Sequence, residues 1–192
     1  MVMVGEQIEA AEVVRRAAQD KPFYDESGGG VTLSGGEPLM QPEFSKAILW
    51  GCQAKGIHTA LETNLTAPRA IIDAMLPVVD LWMCDLKTVD AEMHKKYTGA
   101  SNEHILANLN YLAEKEVPII VRTPVVPEFN DTQEAITAIY KQIKGLPVKY
   151  ELLEFHTLGF DKFNHLGMNN PCEKTQALSK EKFAILNDII QQ

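Results

Sequence analysis

Val31-Thr32-Leu33-Ser34-Gly35-Gly36-Glu37-Pro38-Leu39 is the stretch whose reading decides the fold. A β-branched and apolar run breaks into two glycines, an acid and a proline, the pattern of a strand that ends in a functional loop. Ser34 to Glu37 leaves backbone N–H and C=O groups bare beside one carboxylate, and Pro38 keeps Glu37 out of helical geometry. A ligand carrying an ammonium group suits such a loop. Taken alone, the four residues read as a glycine-rich turn with a solvent-facing glutamate, and what shifts the balance lies in the rest of the chain.

Working outward toward the N-terminus, residues 6–19 place Ile8, Ala11, Val14 and Ala18 near helical spacing and predict an amphipathic helix. Residues 20–30 read as a loop from Pro22 and Gly28 to Gly30. In the other direction, residues 43–54 predict a helix stopped by Lys55-Gly56, a basic last turn followed by glycine. Strands are expected at 57–63, 79–84, 117–124 and 149–155. Helices are expected at 68–76, 91–97, 102–114, 131–143 with Asp131 or Thr132 as cap, and 179–190 with Ser179 as cap, after a polar loop through Pro171. There is no internal repeat and no low-complexity tract.

The result is five β→α units. Strand and helix alternating at roughly 25–30-residue intervals imply a parallel sheet with helices outside, because each crossover must carry the chain back to the same end. The strands near Ile57, Val79 and Ile119 carry apolar residues on both faces, which predicts a sheet buried on both sides. Leu33, Leu61, Met83 and Val121 are expected to line an apolar barrel interior. Five units are too few for a closed eight-stranded barrel, and the chain enters on a helix. It therefore reads as lacking its beginning, with an unpaired strand edge through which it would self-associate or which Met1 to Gly5 would fill.

Length and composition bound the rest. At 192 residues, 45% hydrophobic and 23% charged, the chain reads as one ordinary globular domain, residues 1–192. No apolar run approaches the ~20 residues of a membrane span, and Met1 to Gly5 is too short for a signal peptide, so a cytoplasmic protein without membrane contact is expected. A net charge of −8 with scattered Lys and Arg argues against a nucleic-acid partner. Cys52, Cys84 and Cys172, with no CxxC among them, read as free thiols in a reducing compartment.

Every polar group singled out along the chain lies at the C-terminal end of an expected strand: Glu37, Glu62, Asp85, Lys87, Arg122 and His156. Barrel and open α/β proteins build their sites there, because the βα loops converge at that end. One such residue is an ordinary helix cap. Five consecutive strands ending in acid, base or imidazole point to a ligand site. Arg122 and Lys87 could instead pair with Glu62 and Asp85 as an interior ion-pair ring, Met83 could be plain core, and His156 could bond to backbone. A Schiff-base Lys87 is all that an aldolase-like reading has.

These motifs, in this order, carry a resemblance. Ser34-Gly35-Gly36-Glu37-Pro38, Gly56-Ile57-His58-Thr59, Glu62-Thr63-Asn64, Asp80 to Lys87, Arg122 to Pro127 and Leu153 to Gly159 resemble the glycyl radical enzyme activating enzymes, of the pyruvate formate-lyase type, in the radical S-adenosylmethionine superfamily. The likeness spans residues 6–190. Phe23 to Gly30 is similar to the subgroup with a ferredoxin-like insert before this point. The resemblance implies an α/β fold, a partial (β/α)6 TIM-like barrel with about five units present and the first strand missing. It also implies reductive cleavage of S-adenosylmethionine, so that a 5′-deoxyadenosyl radical takes hydrogen from a glycine of a partner. The partners it implies are a glycyl radical enzyme and an electron donor such as flavodoxin or ferredoxin.

Carried over residue by residue, the resemblance implies that Ser34, Gly35, Gly36 and Glu37 hold the methionine amino group and that Lys87 meets the carboxylate, with Asp85 and Leu86 beside it. It places Arg122 among the polar contacts, His156 near the adenosine, and Glu62, Thr63, Met83 and Asp85 around a monovalent cation. Two departures matter. Leu65 stands where a glycine or small residue is usual and is expected to narrow the loop beside the cation. The family's CxxxCxxC ligands of a 4Fe-4S cluster are absent, and Cys52, Cys84 and Cys172 are not expected to converge in their place. The chain is accordingly expected to be an inactive C-terminal portion of an activating oxidoreductase; the alternative is a cluster-less S-adenosylmethionine-binding or regulatory module.

Overall fold

The computed structural model describes residues 5–157, 160–170, 173 and 175–191. Five strands, β1 (Gly30–Leu33), β2 (His58–Thr63), β3 (Leu81–Asp85), β4 (Ile119–Val125) and β5 (Val148–Glu154), form one sheet in the order β1-β2-β3-β4-β5, every pair parallel. The helices are α1 (Ala10–Ala17), α2 (Lys21–Ser27), α3 (Pro42–Gln53), α4 (Arg69–Met75), α5 (Ala91–Thr98), α6 (Glu103–Glu114), α7 (Gln133–Ile143), α8 (Phe160–Leu166) and α9 (Lys180–Ile190). Because the strand order never reverses, right-handed crossovers lay the helices on one side of the sheet. Among the described residues, an open section of a (β/α) barrel results, with five units and no closure.

Side-chain parity shows which face is which. Leu33, Leu61, Trp82, Cys84, Val121 and Tyr150 pack with Ile72, Met75, Ile105, Leu109, Leu112 and Ile139 of the helices. The alternate positions, Thr32, Glu62, Leu81, Met83, Asp85, Ile120, Arg122, Lys149, Glu151 and Leu153, are half-buried or exposed on the other face. The expectation of a sheet covered on both sides is thus corrected, as is the expected lining: Leu33, Leu61 and Val121 point toward the helices, and of the four only Met83 faces the open side. A period of two makes any one-residue error in phase turn a whole strand over, and apolar residues on both sides of these strands hid the phase.

Two helices correct the expected loops. Residues 21–27 form α2, because Pro22 sits in the first turn, where its missing N–H is harmless, while Lys21 pairs with Asp25 one turn on and Gly28 ends the helix at φ +68. Residues 160–166 form α8 inside the expected polar loop. The expected caps Thr132 and Ser179 are present, accepting from Ala135 N and Lys182 N. At the β1–β2 seam a Cβ on Gly30 would lie 2.1 Å from His58 O, so only glycine fits there. Among the described residues, no helix is long and apolar enough to cross a membrane.

Candidate functional site

The loop after β1 stands over the ends of β2 and β3. Gly35 has φ +130, a conformation glycine alone adopts readily, and a Cβ on Gly35 or Gly36 would meet nothing within 4 Å. Glu37 turns inward from this loop: Oε1 accepts from Leu39 N at 3.1 Å and from Thr63 Oγ1 at 2.8 Å, while Oε2 accepts from Asn64 N at 2.8 Å. A carboxylate has about four acceptor positions, so three are filled and one remains. Glu37 thus ties the β1 loop to the β2 loop as well as offering charge.

A chain of polar contacts then runs across four strand ends. Ser34 Oγ donates to Glu62 Oε2 at 3.0 Å, Glu62 Oε1 meets Arg122 Nη2 at 2.5 Å, Arg122 Nη2 lies 3.6 Å from Asp85 Oδ1, and Lys87 Nζ donates to Asp85 Oδ2 at 3.0 Å. The register explains the convergence, since Asp85 pairs with Arg122 across β3 and β4, and Glu62 pairs with Met83 across β2 and β3. Arg122 is the most enclosed member, its side chain 11% exposed. Asp85 Oδ1 and Arg122 Nε are buried with no hydrogen-bond partner, so the network is incomplete as it stands. A cavity of about 120 Å³ opens among Ser34, Gly36, Glu37, Glu62, Thr63, Asn64, Asp85 and Lys87.

The interior ion-pair ring therefore shares Glu62, Asp85 and Lys87 with the lining of this candidate cavity. His156 lies exposed just past β5 and does not line this cavity. Leu86 is buried in the core and contributes through its backbone, its N–H donating to Arg122 O and its C=O accepting from Thr123 Oγ1. Of the four residues implied for a monovalent cation, Glu62 and Asp85 converge on Arg122, Thr63 gives its hydroxyl to Glu37, and Met83 lies on the open face; among the described residues, no group of three or more His, Cys, Asp or Glu is placed to hold a metal ion.

Leu65 does not narrow the loop as expected. It adopts φ +57 and turns its side chain wholly into the core, a left-handed backbone that costs a non-glycine residue about 1–2 kcal/mol. Buried Asn108 holds it there, donating to Leu65 O and Ala67 O, both at 2.9 Å. This residue, like the asparagines and threonine beneath Lys87 considered below, carries no spacing signal that could have marked it in the sequence.

The family described as Radical SAM superfamily matches residues 4–139. The chain belongs to the radical SAM superfamily. This radical SAM chain is 39% identical over 201 residues to the isethionate sulfite-lyase activating enzyme of Desulfovibrio desulfuricans, an alignment covering 100% of this chain and 64% of that protein. It is 35% identical over 195 residues to the pyruvate formate-lyase-activating enzyme of Listeria monocytogenes, covering 97% of this chain and 79% of that one. A solved domain of pyruvate-formate lyase-activating enzyme from Bacteroides vulgatus superposes with TM-score 0.70 at 31% identity, over 85% of this chain and 93% of that domain. Its homologues are thus glycyl radical enzyme activating enzymes. The chain spans less than two thirds of the first of them, 64%, 58% and 59% of their lengths.

The superfamily implies S-adenosylmethionine and a 4Fe-4S cluster. Cys52 and Cys84 are buried in separate clusters of the core, on α3 and β3, and burial pushes both thiols up, away from the thiolate that a cluster requires. Cys172 lies outside the described residues. The described thiols do not fit a cluster. The rim does fit an amino acid headgroup, with an acceptor position left on Glu37 and two N–H donors left on Lys87.

Proposed function

We propose that this chain supplies the S-adenosylmethionine-binding barrel of a glycyl radical enzyme activating enzyme, an oxidoreductase acting from the cytoplasm. The observation that carries the reading is the contact chain Ser34–Glu62–Arg122–Asp85–Lys87, laid across four strand ends beside the open Gly35-Gly36 backbone. Three carboxylates (Glu37, Glu62, Asp85) against two cations (Lys87, Arg122) leave the rim one negative charge at neutral pH. S-adenosylmethionine, with a sulfonium, an ammonium and a carboxylate, carries one net positive charge, so rim and ligand are complementary.

Glu37 takes the ammonium at its remaining acceptor position, and Lys87 takes the carboxylate while still anchored to Asp85. Arg122 and Lys87 together offset Glu62 and Asp85, so that the ligand's ammonium is drawn to Glu37. When bound and reductively cleaved, S-adenosylmethionine supplies the hydrogen-abstracting species for the partner's glycine. The reading brings with it a glycyl radical enzyme and an electron donor such as flavodoxin or ferredoxin. It also includes self-association of the chain through the sheet edge at β1, which sedimentation would detect.

Equilibrium dialysis with labelled S-adenosylmethionine tests the ligand. Lys87→Ala and Glu37→Ala should each weaken binding about tenfold, the equivalent of ~1.4 kcal/mol. Micromolar affinity unchanged in both variants would overturn the assignment.

A further inference from the structure

We infer that Asn130 is a positioning residue for Lys87, acting from beneath the rim through the lysine's own backbone; its importance for binding rests on the ligand reading above, while its geometry does not. Three consecutive carbonyls in the loop after β3 each accept a hydrogen bond from a buried side chain of another element. Thr123 Oγ1 donates to Leu86 O at 2.6 Å, Asn130 Nδ2 to Lys87 O at 2.7 Å, and Asn102 Nδ2 to Thr88 O at 3.0 Å. The donors come from β4, the loop after β4, and the residue preceding α6. All three are nearly inaccessible to solvent, Thr123 and Asn130 at 0% and Asn102 at 1%.

Asn130 is the central member. Its second amide hydrogen reaches Pro124 O at 3.0 Å, and its Oδ1 accepts from Val126 N at 2.7 Å. With both donors and the acceptor engaged and no exposed surface, Asn130 has nothing to offer a ligand directly. What it does is join the loop after β3 to the loop after β4 at the residue that carries the rim's free ammonium donors. A loop needing only stability could be pinned at any carbonyl, but here the tripeptide centred on Lys87 is held at every one. With that backbone fixed, Lys87 has only its stem left to order when Nζ meets Asp85 Oδ2 at 3.0 Å. Preorganisation of this kind lowers the ordering cost that binding would otherwise incur.

The test reads Lys87 itself, without ligand. Acylation rates of individual lysines in the full chain, followed by peptide mass spectrometry, are normalised to exposed Lys141 on α7. Asn130→Ala should raise the Lys87 rate roughly fivefold, the ratio that one lost hydrogen bond allows. The near-isosteric Thr123→Val removes the Leu86 bond, and with it the 3.0 Å contact of the Thr123 hydroxyl with Tyr150 Oη, but leaves the Lys87 and Thr88 bonds in place; it should raise the rate about twofold, and it decides the question if Asn130→Ala does not fold. Thr59→Val, which removes an equally buried hydroxyl at the opposite end of the sheet, should lower the melting temperature while leaving the Lys87 rate at the wild-type value. A Lys87 rate in Asn130→Ala no different from that in Thr59→Val, or no change in Thr123→Val where Asn130→Ala is unfolded, overturns the positioning role. Binding of S-adenosylmethionine is measured in parallel: a raised Lys87 rate with no binding by the wild-type chain leaves the positioning role standing and removes the ligand reading alone.

Discussion

At the N-terminal end of the sheet one carboxylate, Asp80, accepts from Thr59 N at 2.8 Å, Thr59 Oγ1 at 2.9 Å and Gln53 Nε2 at 3.0 Å, and its own N–H donates to Thr59 O at 3.0 Å. At the C-terminal end three carboxylates and two cations share one rim, and two of their buried atoms, Asp85 Oδ1 and Arg122 Nε, have no hydrogen-bond partner. The same residue types are used to opposite ends. Asp80 is held by neutral donors from α3 and β2 that fill three of its acceptor positions, as on Glu37, but leave no buried atom of the cluster unpartnered, and it stitches one strand to the next. The rim sets charge against charge, leaves acceptor and donor positions open, and faces a cavity. A polar cluster whose buried atoms are all partnered contributes to the fold; one that leaves buried atoms unpartnered is available to chemistry, in keeping with the division of labour between the two ends of (β/α) barrels.

The largest effect should come from the closed end. Asp80→Ala strands the buried Thr59 N–H and should lower unfolding stability by roughly 2–4 kcal/mol in denaturant titration, with ligand binding to the folded fraction unchanged. A loss of binding without a loss of stability would erase the distinction between the two ends. Arg122→Met should cost less, roughly 1–3 kcal/mol, because Glu62, its side chain 34% exposed, can rehydrate and Asp85 keeps Lys87 as a partner once Arg122 is gone. Unlike Asp80→Ala, it should weaken S-adenosylmethionine binding, and equal binding by the variant would place Arg122 with the structural groups.

The smallest effect belongs to a third cluster, on the exposed face of α1, where Arg15 and Arg16 hydrogen-bond Glu12 and hold its carboxyl at about 2, below an ordinary 4.5. A depressed folded-state pKa means that these pairs contribute fully above about pH 4.5 and lose their contribution as the pH falls toward 2. Carboxyl carbon NMR should find the Glu12 midpoint low in dilute buffer and moving back toward its ordinary value in ~1 M salt, as screening of an exposed pair requires. A midpoint indifferent to salt would mean that this cluster behaves like the enclosed rim.

Much of the architecture was legible because its signals are local. Gly56, Thr132 and Ser179 mark element ends by turn and capping chemistry, and the strand bounds fall within a few residues of those expected. What failed did so for identifiable reasons. Pro22 reads as a breaker unless its first-turn position is known, and Leu61 and Val121 read as interior until pairing sets the phase of their strands. The charged rim residues stood out because each follows a strand. Asn108, Thr123 and Asn130 did not, since a Thr in a strand or an Asn in a helix or turn is ordinary until its partner 37 to 43 residues away is known.

By itself the sequence determined five β→α units, a parallel sheet, and a row of acid and base at the strand ends, because periodicity, turn residues and caps act over a few neighbouring positions. The tertiary structure alone decided that Glu62 and Asp85 turn onto Arg122, that Glu37 is engaged by Thr63 and Asn64 at the end of β2, and that Lys87 is held by its own carbonyl. Those outcomes depend on strand register and on which buried donor reaches which acceptor, and both are set by packing between segments far apart in the chain.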